Sequence, residues 1–147
     1  MKTVIIYYSK HHGNTEKLIQ AIAATNDVTL IDCTKVRTIE LSQYDRIGFA
    51  SGIYYHSFAK PLLKCAAENL PQGKAVFFIA TCGAPRKNYF TAIRRIAQDK
   101  HCIELGTYRC RGFDTFGPFR LIGGIAKGHP TEKEIADAVA FYNALGT

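Results

Sequence analysis

The stretch YYSKHHGNTEKL, Tyr7–Leu18, decides how the chain reads. A β-branched and aromatic run, Thr3–Tyr8 (TVIIYY), breaks off into Ser9-Lys10-His11-His12-Gly13-Asn14-Thr15, and a charged, helix-favouring segment follows at once. A continuous apolar run of this length suits a central strand covered on both faces. Leu18, Ile19, Ile22 and Ala23 then recur at helical spacing, with Lys17 and Gln20 left for solvent. Strand therefore passes to helix through small hydroxyl, amide and glycine residues. Such a connection is either an ordinary turn in which Asn14 or Thr15 caps the helix, or a seat for an anion. Gly13 lets the backbone turn tightly and approach a ligand. Ser9, Asn14 and Thr15 carry side-chain donors, and the free N–H groups of a first helical turn favour negative charge. His11 and His12 read as solvent- or phosphate-facing rather than as metal ligands.

Working outward, the same alternation repeats. Val28–Asp32 and Arg46–Ser51 (RIGFAS) are strand-like, and Leu62, Leu63, Ala66, Ala67 and Leu70 form a helical stripe behind Pro61, which sits in a first turn. Ala75–Ala80 (AVFFIA) is a second strongly apolar strand, Phe90, Ile93, Ile96 and Ala97 a further stripe, and Ile103–Tyr108 a last strand. The segment Glu132–Leu145 is a terminal helix, with Thr131 and Glu134 spaced as a capping box and Gly146 just beyond its end. Strands alternating with helices predict an α/β three-layer sandwich: one domain over residues 1–147, a five-stranded parallel sheet of order 2-1-3-4-5, and helices on both faces. Gly106–Pro130 is the irregular piece, rich in glycine yet also in aromatic residues, and reads as a packed, partly extended excursion.

In such a sheet, ligands bind beyond the carboxyl ends of the strands where strand order reverses, here between the first and third strands. The loops that should matter follow the first, third and fourth strands. After the third comes SGIYYHSF, Ser51–Phe58, with Gly52 for backbone adaptability and Tyr54, Tyr55 and Phe58 as flat faces for a planar ring or for the neighbouring helix. After the fourth comes TCGAP, with donors from Thr81 and the Gly83 backbone. Several phosphate chemistries are disfavoured by residue type. Tyr8 and Ser9 stand where a response-regulator receiver needs acidic residues, no cysteine opens the first loop as a tyrosine phosphatase of this topology requires, and there is no G-x-x-x-x-G-K-[ST]. Binding without phosphoryl chemistry remains.

Apolar residues make up 47% of the chain and charged residues 21%, ordinary proportions for a globular protein. The apolar runs fall well short of the roughly 18 residues of a membrane span, and no secretory-type leader follows Met1, so a cytoplasmic protein without membrane insertion is expected. Five cysteines without a C-x-x-C pair argue against a disulfide scaffold or a structural metal. The net charge of +7 biases encounters toward anionic partners, but the cations are scattered and form no run of the kind that reads specific nucleic acid.

Taken together, the motifs resemble the flavodoxin family, in order and over nearly the whole chain. YYSKHHGNTEKL is similar to its phosphate loop, GFASGIYY to its first flavin-flanking loop and FFIATCGAP to its second. The tail after Arg111 looks like that of a small flavodoxin-like subgroup. The resemblance implies FMN as cofactor, with the phosphate held within Ser9, Lys10, His11, His12, Gly13, Asn14 and Thr15. The isoalloxazine would be flanked by Ser51, Gly52, Ile53, Tyr54 and Tyr55 on one side and Thr81, Cys82, Gly83 and Ala84 on the other. It implies electron transfer through the flavin, no catalytic side chain, and a redox partner protein. Three departures stand out. The phosphate loop carries one extra residue between Ser9 and Gly13. There is no tryptophan, so ring stacking falls to Tyr54 or Tyr55. The chain is basic where electron-carrying flavodoxins are acidic, which suits an acidic partner and makes the potential of the reduced ring less negative. The alternatives are a flavin-dependent NAD(P)H/quinone-type oxidoreductase, and a binding domain that keeps the fold without the cofactor.

Overall fold

The computed structural model describes residues 1–10, 13–84, 88–112 and 128–146. Strand β1 (Thr3–Tyr8) lies between β2 (Val28–Asp32) and β3 (Arg46–Tyr54), parallel to both, with Ile5 opposite Leu30 on one side and Gly48 on the other. That position explains its unbroken apolar run: Val4, Ile5 and Ile6 are fully buried. β3 pairs in turn with β5 (Ala75–Cys82), and β5 with β6 (Ile103–Arg111), which gives the order β2-β1-β3-β5-β6. The parallel strands thus follow the expected order. A sixth, two-residue strand, β4 (Ser57–Phe58), folds back antiparallel on the end of β3.

Side-chain alternation along the strands builds two cores. Val4, Ile6, Phe49 and Phe78 share one cluster with Leu62 and Ala66 of α2 (Lys60–Asn69) and with Ile93 and Ala97 of α3 (Thr91–Asp99). Ile5, Ala50, Phe77 and Ile79 share the other with Leu18, Ile19 and Ile22 of α1 (Asn14–Thr25) and with Ala138 and Tyr142 of α4 (Glu132–Asn143). Within the second, Phe77 lies over Gly48 so closely that a Cβ added there would stand 2.4 Å from the ring, and it meets Tyr142 edge-on at 5.8 Å. No helix among the described residues is long and apolar enough to cross a membrane.

The structure corrects three boundaries. β5 does not stop at Ala80: Thr81 and Cys82, read as loop residues, belong to the strand, where they pair with Cys110 and Arg111 of β6. β3 does not stop at Ser51 but continues through Tyr54, because the hairpin to β4 supplies partners beyond the reach of β1. The excursion expected from Gly106 does not start there. Gly106–Arg111 continues β6 against β5, and a register shift opposite Val76 and Phe77 absorbs the extra residue. Residues 113–127 of that segment lie outside the described residues.

Helix α4 starts with the expected capping box: Thr131 Oγ1 accepts from Glu134 N, and Glu134 Oε1 accepts from Thr131 N at 2.8 Å. The Glu134 carboxylate also accepts from Arg111 N at 3.2 Å and lies 2.5 Å from His129 Nδ1, so it ties the end of β6 to the helix start. Burial pushes this carboxyl up, but the Thr131 N–H, His129 and the Arg111 N–H outweigh it and hold the group below its ordinary 4.5.

Two predictions follow from this packing. Gly48→Ala forces the Phe77 ring to move within a filled core and should cost about 1–3 kcal/mol by urea denaturation. Because the folded-state pKa of Glu134 is depressed, its contribution is complete above 4.5 and disappears as pH falls through the lower folded value. Glu134→Gln, which keeps the cap but cannot ionise, should show a smaller loss of stability across that acid range than the parent chain.

Candidate functional site

Gly13 is the N-cap of α1, in the left-handed region at φ 64°, ψ 30°, with no side-chain cap hydrogen bond. Asn14 and Thr15 are therefore helical residues rather than caps. The first helical bond runs from Lys17 N to Gly13 O, so the amides of Asn14, Thr15 and Glu16 precede any intrahelical acceptor. Both Asn14 and Thr15 are buried, and the Thr15 hydroxyl meets that of Thr81 at 3.0 Å, fastening the helix start to the end of β5. Gly112, just past β6, comes so close to Asn14 that a Cβ on it would lie 2.6 Å from Asn14 Nδ2. The ends of β1, β5 and β6 thus converge on one helical turn. Beside it, Ser9 Oγ is buried and has no hydrogen-bond partner among the described residues. Lys10 is exposed and places Nζ 5.6 Å above the Tyr8 ring. His11 and His12 lie outside the described residues.

The loop after β3 is more ordered than its sequence suggests. Ser51 is fully buried, and its hydroxyl donates to Gly52 O at 2.6 Å while accepting from Ala59 N at 3.1 Å, tying the strand to the start of α2. The Tyr54 ring folds back over Gly52, where a Cβ would lie 3.3 Å from Tyr54 Oη, and stands edge-on to Tyr8 at 5.7 Å. Ile53 packs on the α2–α3 core. Tyr55 and His56 turn the hairpin with φ of 49° and 66°, the sign that a two-residue primed turn demands at both central positions. Each bulky residue there stores about 1–2 kcal/mol of backbone strain. The turn leaves Tyr55 79% exposed.

Thr81 and Cys82, the last residues of β5, are buried, as is Gly83 just beyond it, and Ala84 is half-buried, its carbonyl accepting from Tyr89 Oη. Tyr89 in turn stacks with His56, 6.5 Å between ring centres and 12° between planes, which brings the second and third loops together. Cys82 Sγ contacts Cys110 O at 3.5 Å, and burial, with Glu134 and Cys82 nearby, pushes the Cys110 thiol up to about 12. Cys110 therefore stays protonated at neutral pH, which suits packing rather than nucleophilic chemistry.

The structure thus gathers Gly13, Asn14, Thr15 and Thr81 at the start of α1, leaves the Ser9 hydroxyl buried on the loop that leads there, and sets Gly52, Tyr54 and Tyr55 in the hairpin beside Tyr8. It turns the Ser51 hydroxyl inward. Tyr8, Tyr89 and Gly112 were not singled out by sequence reasoning. Tyr8 looks like one more strand residue, and the other two act through contacts distant in sequence.

A family model described as a flavodoxin domain matches residues 5–102. The chain belongs to the flavodoxin family. An uncharacterized protein of Methanocaldococcus jannaschii is 34% identical, over 99% of this chain and 98% of that protein. Among solved structures, oxidised flavodoxin 1 from Bacillus cereus superposes with a TM-score of 0.70 at 16% identity, covering 99% of this chain and 100% of that one. A flavodoxin from the domain Archaea gives a TM-score of 0.66 at 18% identity, with 94% and 92% coverage. A Lactobacillus acidophilus flavoprotein in complex with FMN gives 0.56 at 22% identity, with 74% and 92% coverage.

The Thr15–Thr81 bond sets this end of the flavodoxin sheet. Thr15→Val or Thr81→Val leaves the partner hydroxyl buried and unpaired and should cost about 1–3 kcal/mol. The double variant should cost less than the sum of the two, a coupling read by a urea double-mutant cycle.

Proposed function

We propose that this chain binds FMN and serves as a redox protein, passing electrons between partners through the flavin. The observation that carries the reading is the buried Ser9 hydroxyl, without a hydrogen-bond partner among the described residues, on the loop that leads into a helix with no side-chain cap hydrogen bond. An anion supplies what both need, and a phosphate offers several acceptor oxygens to converging donors. Ser9 Oγ and the amides of Asn14 and Thr15 would hold it, with Gly13 allowing close approach and Lys10, His11 and His12 on the same loop. The segments Ser51–Tyr55 and Thr81–Ala84 would flank the ring, with Tyr54 in place of a tryptophan. Similarity to a flavoprotein solved with FMN supports the choice of cofactor.

Bound flavin supplies one- and two-electron exchange, and the chain supplies position, exclusion of water and field. The net charge of +7 favours an acidic redox partner and a less negative potential than that of an acidic flavodoxin. A cytoplasmic setting fits these roles.

Titrating the flavin-free chain with FMN tests the reading. The expected outcome is one equivalent bound at micromolar or tighter affinity, with a yellow protein that releases flavin on denaturation. Ser9→Ala should weaken binding about tenfold or more, the loss of one hydrogen bond to a charged group. Folded protein that ignores FMN would overturn the assignment.

A further inference from the structure

Beyond the hairpin, on the α2 side of the sheet, lies a cleft of about 400 Å³ lined by Tyr8, Tyr54 and Tyr55, by Phe58 and Leu63, and by Ser57, Ala59, Lys60 and Pro61. Its size falls in the range of small-molecule sites. Among the described residues, none of Ser9, Lys10, Gly13, Asn14 and Thr15 and none of Thr81–Ala84 lines it, so it is a different space from the proposed anion seat and the second flanking loop. Tyr54 and Tyr55 are common to the cleft and the proposed flavin-flanking hairpin.

The walls and the rim differ in chemistry. Tyr8 and Tyr54 stand at 85° to each other, so together they offer a flat face and an edge to a single ring system. The rim is positive: Lys60 is exposed at the start of α2, Lys10 Nζ lies over the Tyr8 ring, and none of the described lining residues is acidic. Helix α2 adds to this field. Its N-cap is Ala59, which has no side-chain acceptor, and its first turn carries no acidic residue, so the positive end of the helix is not neutralised locally.

We propose that this cleft is a second binding site, one that takes a small planar aromatic anion, with its rings against Tyr8 and Tyr54 and its charge at Lys60 and the start of α2. The inference goes beyond the flavin reading and does not require it. An anionic aromatic satisfies both halves of the cleft. A neutral one leaves the rim unanswered, and a non-aromatic anion leaves the tyrosine faces uncovered.

The test uses naphthalene-2-sulfonate and its uncharged analogue naphthalene-2-sulfonamide, titrated into the full chain and followed by amide chemical shifts. The sulfonate should shift residues of the β3–β4 hairpin and of the first turn of α2, and bind about tenfold more tightly than the sulfonamide. Lys60→Glu, a change at an exposed helix start that tolerates acidic residues, should abolish that preference while FMN affinity stays unchanged. Equal binding of the two probes, shifts confined to Ser9–Thr15 and Thr81–Ala84, displacement of the sulfonate by FMN, or an unaltered preference in Lys60→Glu would each overturn the proposal. Failure of FMN to bind while the sulfonate binds as described would defeat the flavin reading and leave this site standing.

Discussion

Everything at the carboxyl edge of the sheet depends on how the first turn of α1 is held. Gly13 in the left-handed region starts the helix without a side-chain cap, and the buried hydroxyl pair of Thr15 and Thr81 fixes that start against β5. A capped helix would have satisfied its own amides. This one begins its intrahelical bonding only at Lys17 N, the buried Ser9 hydroxyl lies on the loop that leads into it, and the close approach of Gly112 to Asn14 brings the end of β6 to the same turn.

The second constraint is the hairpin. Ser51 uses its hydroxyl to join β3 to α2, and this lets the chain run on to Tyr54 and reverse through two strained residues. Tyr54, just before the turn, both covers Gly52 and packs edge-on against Tyr8 in the wall of the cleft. Strain of this kind persists only where its surroundings over-determine it, and the His56–Tyr89 stack and the β4 pairing supply those surroundings.

Much of this was legible in the residues. Thr3–Tyr8 announced a central strand because both faces of β1 are buried, and the spacing of Thr131 and Glu134 announced the α4 cap because both bonds are local. The strand-to-helix connection at Gly13 was legible as a motif, but whether Asn14 capped the helix or lay inside it depended on a backbone conformation that Gly, Asn and Thr all permit. What the residues did not announce depends on distant partners. The inward turn of Ser51 requires Ala59, the Thr15–Thr81 pair requires β5 beside α1, and the hairpin required φ above zero at Tyr55 and His56, where asparagine or glycine would have been the usual signal. The extension of β6 past Tyr108 was hidden by Gly106, whose room is taken up by Phe141 and Leu145.

The most direct test of the claim that the start of α1 is built for a phosphate compares FMN with riboflavin, which lacks only that group, by following the backbone amide protons of Asn14 and Thr15. FMN should move both resonances downfield, as charged hydrogen bonds do, and bind far more tightly than riboflavin, which should leave them in place. Equal affinities, or amide resonances that respond alike to the two flavins, would contradict it.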